Sequence, residues 1–115
     1  MSADCLFCKI IAGDIPSNKV YSDEHVYAFH DINPAAPTHV LVIPKKHLSA
    51  VNDGGEGNEV LLGKLLLAAN IIAADLGLEH DGFRYVINTG TDGGQTVFHL
   101  HLHILGGRAL SWPPG

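Results

Sequence analysis

The sequence predicts an α+β domain of about five mostly antiparallel strands with one long and one short helix. Three stretches carry that prediction. His99 to Leu105 alternates polar and apolar residues strictly, which is the period of a half-buried strand. His39-Val40-Leu41-Val42-Ile43 is nearly continuous in apolar character, as a strand buried on both faces is. Glu59 to Leu76 places Val60, Leu61, Leu65, Ala68, Ala69, Ile72 and Leu76 at helical spacing.

The remaining elements follow in order. Asp4 is the expected cap of a short helix through Leu6, Phe7, Ile10 and Ile11, ended by Gly13. Pro16 and Asn18 make a turn. Val20–Ser22 and His25–His30 read as a hairpin bent at Asp23-Glu24. Asp31 to Pro37 is a loop, because its prolines forbid regular pairing. After the 39–43 strand, stopped by Pro44, Lys45 to Leu48 forms a turn and Asn52 to Asn58 a mobile glycine-rich loop. Gly77 caps the long helix. Phe83–Asn88 is a strand, and Thr89–Gln95 a glycine-rich loop leading into the histidine strand.

A length of 115 residues suits one domain spanning 1–115. With 46% hydrophobic and 17% charged residues the balance is globular, not disordered. The formal charge of −5 argues against nucleic acid held by phosphate neutralisation, yet leaves room for an anionic small molecule at a locally suited site. The start of the chain shows no signal peptide and no apolar run reaches membrane-spanning length. The expectation is a cytoplasmic protein with no membrane or nucleic-acid partner. Cys5 and Cys8 form a C-x-x-C pair, which in that compartment points to metal or redox use in preference to a structural disulfide.

In a strand, His99, His101 and His103 leave from one face, about 6.5–7 Å apart, while Leu100, Leu102 and Ile104 leave from the other. A solvated face would carry Lys, Glu or Thr. Three imidazoles in a row suggest nucleophilic or acid–base chemistry, or a metal. The loop Gly90-Thr91-Asp92-Gly93-Gly94-Gln95-Thr96 allows close backbone approach and can present N–H groups as an anion nest beside them.

With these residues in place, the chain resembles the histidine triad (HIT) superfamily, whose signature His-φ-His-φ-His-φ-φ is here His99 to Leu105. Gly93-Gly94-Gln95-Thr96, Gly106-Gly107-Arg108 and Trp112-Pro113-Pro114-Gly115 are similar to the Hint branch, the purine nucleoside phosphoramidases. The resemblance runs on through Ala28-Phe29-His30-Asp31-Ile32, Pro37-Thr38-His39 and Ile43-Pro44-Lys45-Lys46-His47. It implies a HIT-like fold forming a two-fold dimer. It also implies hydrolysis of purine nucleoside 5′-phosphoramidates, AMP or GMP derivatives, and of aminoacyl-adenylate-like substrates. His101 would attack the α-phosphorus to give a nucleotidyl-histidine intermediate.

By the same matching, His39 would orient the nucleophile, His103 would contact phosphate oxygens, and Thr96 would assist the leaving group. His99 belongs to the catalytic row or to a metal set. Asp31 would accept the ribose hydroxyls, although Asp before Asn33-Pro34 is also a turn residue. His30, Ile32, Phe29 and Leu41 would line the base pocket, with Phe7 and Ile10 beside them, while ordinary core packing explains the apolar ones equally well. Asn88, Gly94 and Gln95 would hold the phosphate side, and Trp112 would reach across the dimer. No cofactor is needed for this catalysis. Cys5, Cys8, His47 and His99 match a structural zinc set of the superfamily, which permits zinc without requiring it. Two rivals remain: a metallohydrolase using the triad, for which Asp92 is the nearest carboxylate in sequence, and a nucleotide-binding module without turnover. The superfamily's nucleotidyl transferases, with Gln for the last histidine, and its polyphosphate hydrolases, without the Gly-Gly-Arg and Trp-Pro-Pro segments, fit less well.

Overall fold

The computed structural model describes residues 4–115, so the Met1-Ser2-Ala3 stretch read for a leader lies outside the described residues. The elements run α1 (Leu6–Ala12), β1 (Lys19–Ser22), β2 (Val26–His30), β3 (Thr38–Pro44), a single 3₁₀ turn (Val51–Asp53), α2 (Glu59–Asp75), β4 (Phe83–Val86) and β5 (Leu102–Gly106). The five strands form one sheet in the order β1-β2-β3-β5-β4, every neighbouring pair antiparallel. At the β1–β2 bend Asp23 Oδ1 accepts the N–H groups of His25 and Val26, both at 2.8 Å, which fixes the expected turn.

The sheet separates two apolar layers. On one face Val26, Ala28, Val40, Val42, Leu102 and Ile104 pack with Leu65, Ala68, Ala69 and Ile72 of α2. On the other, Phe29, Leu41 and Ile43 pack against Phe7, Cys8 and Ile10 of α1. β3 therefore supplies both layers from alternate residues, as its apolar run predicts.

Three sequence expectations are corrected. The cap of α1 is Cys5, not Asp4: the helix begins one residue later, and Cys5 Sγ accepts the Cys8 N–H at 3.3 Å. In α2 the buried row is Leu65, Ala68, Ala69, Ile72 and Ala73, whereas Val60 is 71% exposed and faces out with Leu67 and Ile71. Lastly, the histidine stretch is a strand only from Leu102. Leu102 pairs with Val42, so continuing the ladder would set Leu100 opposite Pro44, which has no N–H to give. The Leu100 N–H donates instead to Leu48 O at 2.6 Å, and the chain bends at His99. Alternation survives that bend, since Leu100, Leu102 and Ile104 are all buried in the α2 layer.

Among the described residues no helix is long and apolar enough to cross a membrane. Ile72 is 1% exposed at the centre of the α2 layer. Ile72→Ala should cost about 3 kcal/mol of unfolding free energy by chemical denaturation, within the usual range for a buried aliphatic truncation.

Candidate functional site

On the α1 side of the sheet lies a cavity of about 420 Å³ whose wall includes His101, His103, Thr96, Asp31, Phe29 and Leu41. His101 is 6% exposed and its Nδ1 lies 2.8 Å from the carbonyl oxygen of His99. A carbonyl only accepts, so Nδ1 carries the proton and the lone pair sits on Nε2. Phe7 packs edge-on to the ring at 5.2 Å between centroids, which restricts its rotation. An imidazole whose Nδ1–H is held by a carbonyl beside a cavity can offer its Nε2 lone pair as a nucleophile. The partner that orients it is the His99 backbone, whereas His39 was the expected one.

His39 serves its neighbour instead. The Ala35 N–H donates to His39 Nδ1 at 3.0 Å, which leaves Nε2 as the protonated nitrogen of the neutral ring. That N–H points at His103 Nδ1, 2.9 Å away. His103 in turn must carry its proton on Nε2, a buried atom with no hydrogen-bond partner among the described residues. Burial is the main reason that the His103 pKa falls to about 4, with the His101 and His39 rings adding to it. Burial likewise lowers His39, against the opposing pull of Asp31. Both rings are therefore neutral near pH 7, and the orphan Nε2–H of His103 is a donor in search of an acceptor.

Asp31 is the carboxylate that approaches this group, its Oδ2 3.4 Å from His39 Nε2, while Asp92 lines no part of the cavity. Asp31 Oδ1 accepts the Asn33 N–H at 2.8 Å, so the residue closes an Asx turn and lines the cavity at once. Asp31, His39 and His103 are close enough to suggest a metal triad. The tautomer argues against it, because His39 Nε2 bears a proton and offers no lone pair.

A second cluster has the opposite chemistry. His99 is fully buried, and its Nε2 lies 2.8 Å from Pro44 O, so its Nδ1 carries the lone pair. That Nδ1 is 3.3 Å from Cys5 Sγ, 3.5 Å from Cys8 Sγ and 3.1 Å from His47 Nδ1. Ligands 2.0–2.3 Å from a tetrahedral ion sit about 3.3–3.8 Å apart, so two thiols and two imidazoles at these separations fit structural zinc. The Pro44 carbonyl behind His99 is the outer partner that such a ligand ordinarily has. Burial lowers the His99 pKa, which keeps that lone pair free.

The glycine loop differs from its expectation. Gly94 N–H bonds Thr91 O and Gln95 N–H bonds Gly90 O, both at 3.0 Å, so these amides are taken up internally and make no anion nest. Gln95 is 4% exposed; its Oε1 accepts the Gly90 N–H at 2.9 Å and its Nε2 donates to Ser49 O and Val97 O. Gln95, Gly94, Asn88 and Trp112 do not line the cavity, whereas Thr96 does. Gly93 is required by close approach, since a Cβ there would stand 2.4 Å from Thr89 O. The cavity wall also includes His30, Ile32, Phe7 and Ile10, as expected. Ile15 to Asn18 and Val97 were missed as wall residues, although Pro16 and Asn18 had marked the turn that carries them there. Phe29 and Leu41 are core and cavity wall together.

Known proteins resemble this chain in sequence and in fold. The HIT domain family profile matches residues 12–110. The purine nucleoside phosphoramidase of Escherichia coli (strain K12) is 46% identical over 110 residues, 96% of this chain and 92% of that protein. A 14 kDa zinc-binding protein of Zea mays is 52% identical over 112 residues, 96% of this chain and 87% of that protein. The crystal structure of a HIT family hydrolase from Legionella pneumophila superposes with a TM-score of 0.95 at 49% identity, covering 97% of this chain and all of that one. A profile that spans nearly the whole chain, with relatives matched end to end, means that this chain belongs to the HIT domain family.

Proposed function

We propose that this protein is a purine nucleoside phosphoramidase, hydrolysing P–N bonds of nucleoside 5′-phosphoramidates and related aminoacyl adenylates. The observation that carries the reading is the His101 tautomer, with Nδ1–H held by the His99 carbonyl and the Nε2 lone pair beside the cavity. The phosphoramidase name of the Escherichia coli relative supports the same chemistry.

In the first step the His101 Nε2 lone pair forms a bond to the α-phosphorus. The P–N bond of the substrate breaks, and its electron pair leaves on the amine, which takes up a proton from solvent passed on through the Thr96 hydroxyl. The positive charge that develops on the imidazole is stabilised by the His99 carbonyl dipole at Nδ1–H. The Nε2–H of His103 donates to a non-bridging oxygen, which supplies the acceptor it lacks. Water then attacks phosphorus and gives its proton to solvent, the N–P bond breaks with its electron pair returning to His101 Nε2, and the nucleoside monophosphate departs. Phe29, Leu41 and Ile10 give the base an apolar wall, the 91%-exposed Ile32 sits at the rim, and Asp31 receives the ribose hydroxyls. Cys5, Cys8, His47 and His99 would hold a structural zinc, which supplies cross-linking of α1 to the histidine strand and no chemistry at phosphorus.

The protein acts as a homodimer on this reading. Val60, Leu67 and Ile71 are exposed on α2, and Phe83 is exposed on β4, an edge strand with one side unpaired. Arg84 of β4 donates to Ser111 O at 2.9 Å, which ties the Trp112 segment to that same edge, with the ring 81% exposed and ready to meet the second copy.

Replacing His101 with Ala should cut turnover of adenosine 5′-phosphoramidate by at least about a thousandfold, the scale of a lost nucleophile, and leave AMP binding within a few-fold. Near wild-type turnover in that variant overturns the assignment. Elemental analysis of the purified protein should find one zinc per chain, and Cys5→Ser combined with Cys8→Ser should lose it and lower the melting temperature. Sedimentation should give twice the chain mass for the wild type, and Leu67→Glu should shift it toward the single-chain mass.

A further inference from the structure

Gly106-Gly107-Arg108 lies outside the cavity, yet its side chains and backbone reach the loop that sets the His39 proton. Arg108 Nη2 donates to Ala35 O at 2.9 Å, across 73 positions of sequence. The N–H of that same Ala35 donates to His39 Nδ1. Gly107, at φ +92, lies so close to the loop that a Cβ there would stand 2.8 Å from Pro37 Cβ and 3.5 Å from Thr38 N. The segment after β5 therefore touches the 35–38 loop at two independent points, one by a charge-assisted hydrogen bond and one by contact.

We propose that Arg108 is a positioning residue for His103, acting through Ala35 and His39 to keep the His103 proton on Nε2, the nitrogen that has no hydrogen-bond partner among the described residues. The chain of donors has one direction only. Arg108 anchors the 35–36 peptide through Ala35 O, which restrains the backbone at Ala35; the N–H on the other side of the Ala35 Cα occupies His39 Nδ1; the His39 Nε2–H occupies His103 Nδ1; and the His103 Nε2–H is left without a partner among the described residues. If the Ala35 N–H swings away, His39 Nδ1 is free to take the proton. His39 Nε2 would then compete as acceptor for the His103 Nδ1–H, and His103 would present a lone pair to an anionic oxygen. Among the described residues Asp31 is the carboxylate that faces His39, its Oδ2 3.4 Å from Nε2, and it favours the same Nε2–H form. Alone it has poorer geometry than the Ala35 contact, which is why the backbone donor decides the tautomer.

The role in turnover rests on the phosphoramidase reading, but the tautomer order does not. Long-range ¹H–¹⁵N spectra of the ligand-free protein should show His39 and His103 protonated at Nε2 and bare at Nδ1. Arg108 is exposed, so Arg108→Ala leaves no cavity behind and the fold should survive. Its His39 and His103 signals should move toward mixed tautomers, and kcat should fall about tenfold, the worth of one charge-assisted hydrogen bond, with KM changed less than threefold. Arg108→Lys, which keeps a donor within reach of the carbonyl, should recover most of both. Ala35→Pro deletes the donor itself and should reproduce the Arg108→Ala spectrum with no further loss when the two are combined. Unaltered nitrogen signals in both variants overturn the relay even if the wild type turns over phosphoramidate. A wild type without turnover, whose signals move as stated, removes the reaction and leaves the relay standing.

Discussion

The hydrogen bond from His99 Nε2 to Pro44 O is the contact on which the rest of the site depends. A fully buried imidazole with both nitrogens unsatisfied would cost several kcal/mol on transfer scales. Here one nitrogen meets a carbonyl that the sheet ladder leaves available, because the proline at that position cannot take part as a donor. The bond fixes the ring so that its other nitrogen faces the two thiols and His47. It also fixes the peptide, and the carbonyl of that peptide holds His101. One residue thus joins α1, the end of β3 and His101.

The sheet then assigns the histidines different surroundings without any change in residue type. Even-numbered residues of the stretch enter the α2 layer and exclude water from below. Odd-numbered ones emerge on the α1 side, where depth varies along the strand. His99 lies under α1, His101 beneath Phe7 at the cavity, and His103 next to His39 on β3. Each ring's neighbour sets its protonated nitrogen: Nε2 for His99, Nδ1 for His101 and Nε2 for His103. Three identical side chains thereby present different free positions: a lone pair toward the two thiols on His99, a lone pair on Nε2 of His101, and an N–H on His103 without a partner among the described residues.

Much of this was legible in the chain itself. The period of two put the three imidazoles on one side, and the C-x-x-C pair with His47 and His99 foreshadowed the four-donor cluster. Other features depend on register, which periodicity does not supply. Leu41 opposes His103 and His39 opposes Leu105, so His39 meets His103 diagonally and not His101; only the pairing of β3 with β5 reveals this. The early end of the ladder needs the same register, since it requires knowing that Leu100 falls opposite Pro44. Gln95 differs for another reason. A polar residue in a glycine loop suggests a ligand contact, but its bonds to Gly90, Ser49 and Val97 engage the amide oxygen and both amide donors inside the protein.

The absence of a carboxylate behind His101 has a physical rationale on the proposed reaction. A buried Asp against Nδ1 would stabilise the imidazolium strongly, but it would also set a full negative charge near an anionic phosphoryl group in a low-dielectric pocket. A backbone carbonyl offers a partial charge in a fixed direction and needs no counter-ion. The same economy governs His103, where neutral rings and a peptide N–H direct the proton. A protonated His103 would attract phosphate more strongly, but its pKa of about 4 makes that form costly near neutral pH, and release of the product monophosphate would be slower from a charged ring. Asp31, the acidic side chain that does reach the cavity, has one oxygen engaged by the Asn33 N–H and stands beside His39, not His101. Negative charge is thereby kept where a sugar's hydroxyls can use it and away from the phosphorus that His101 must approach.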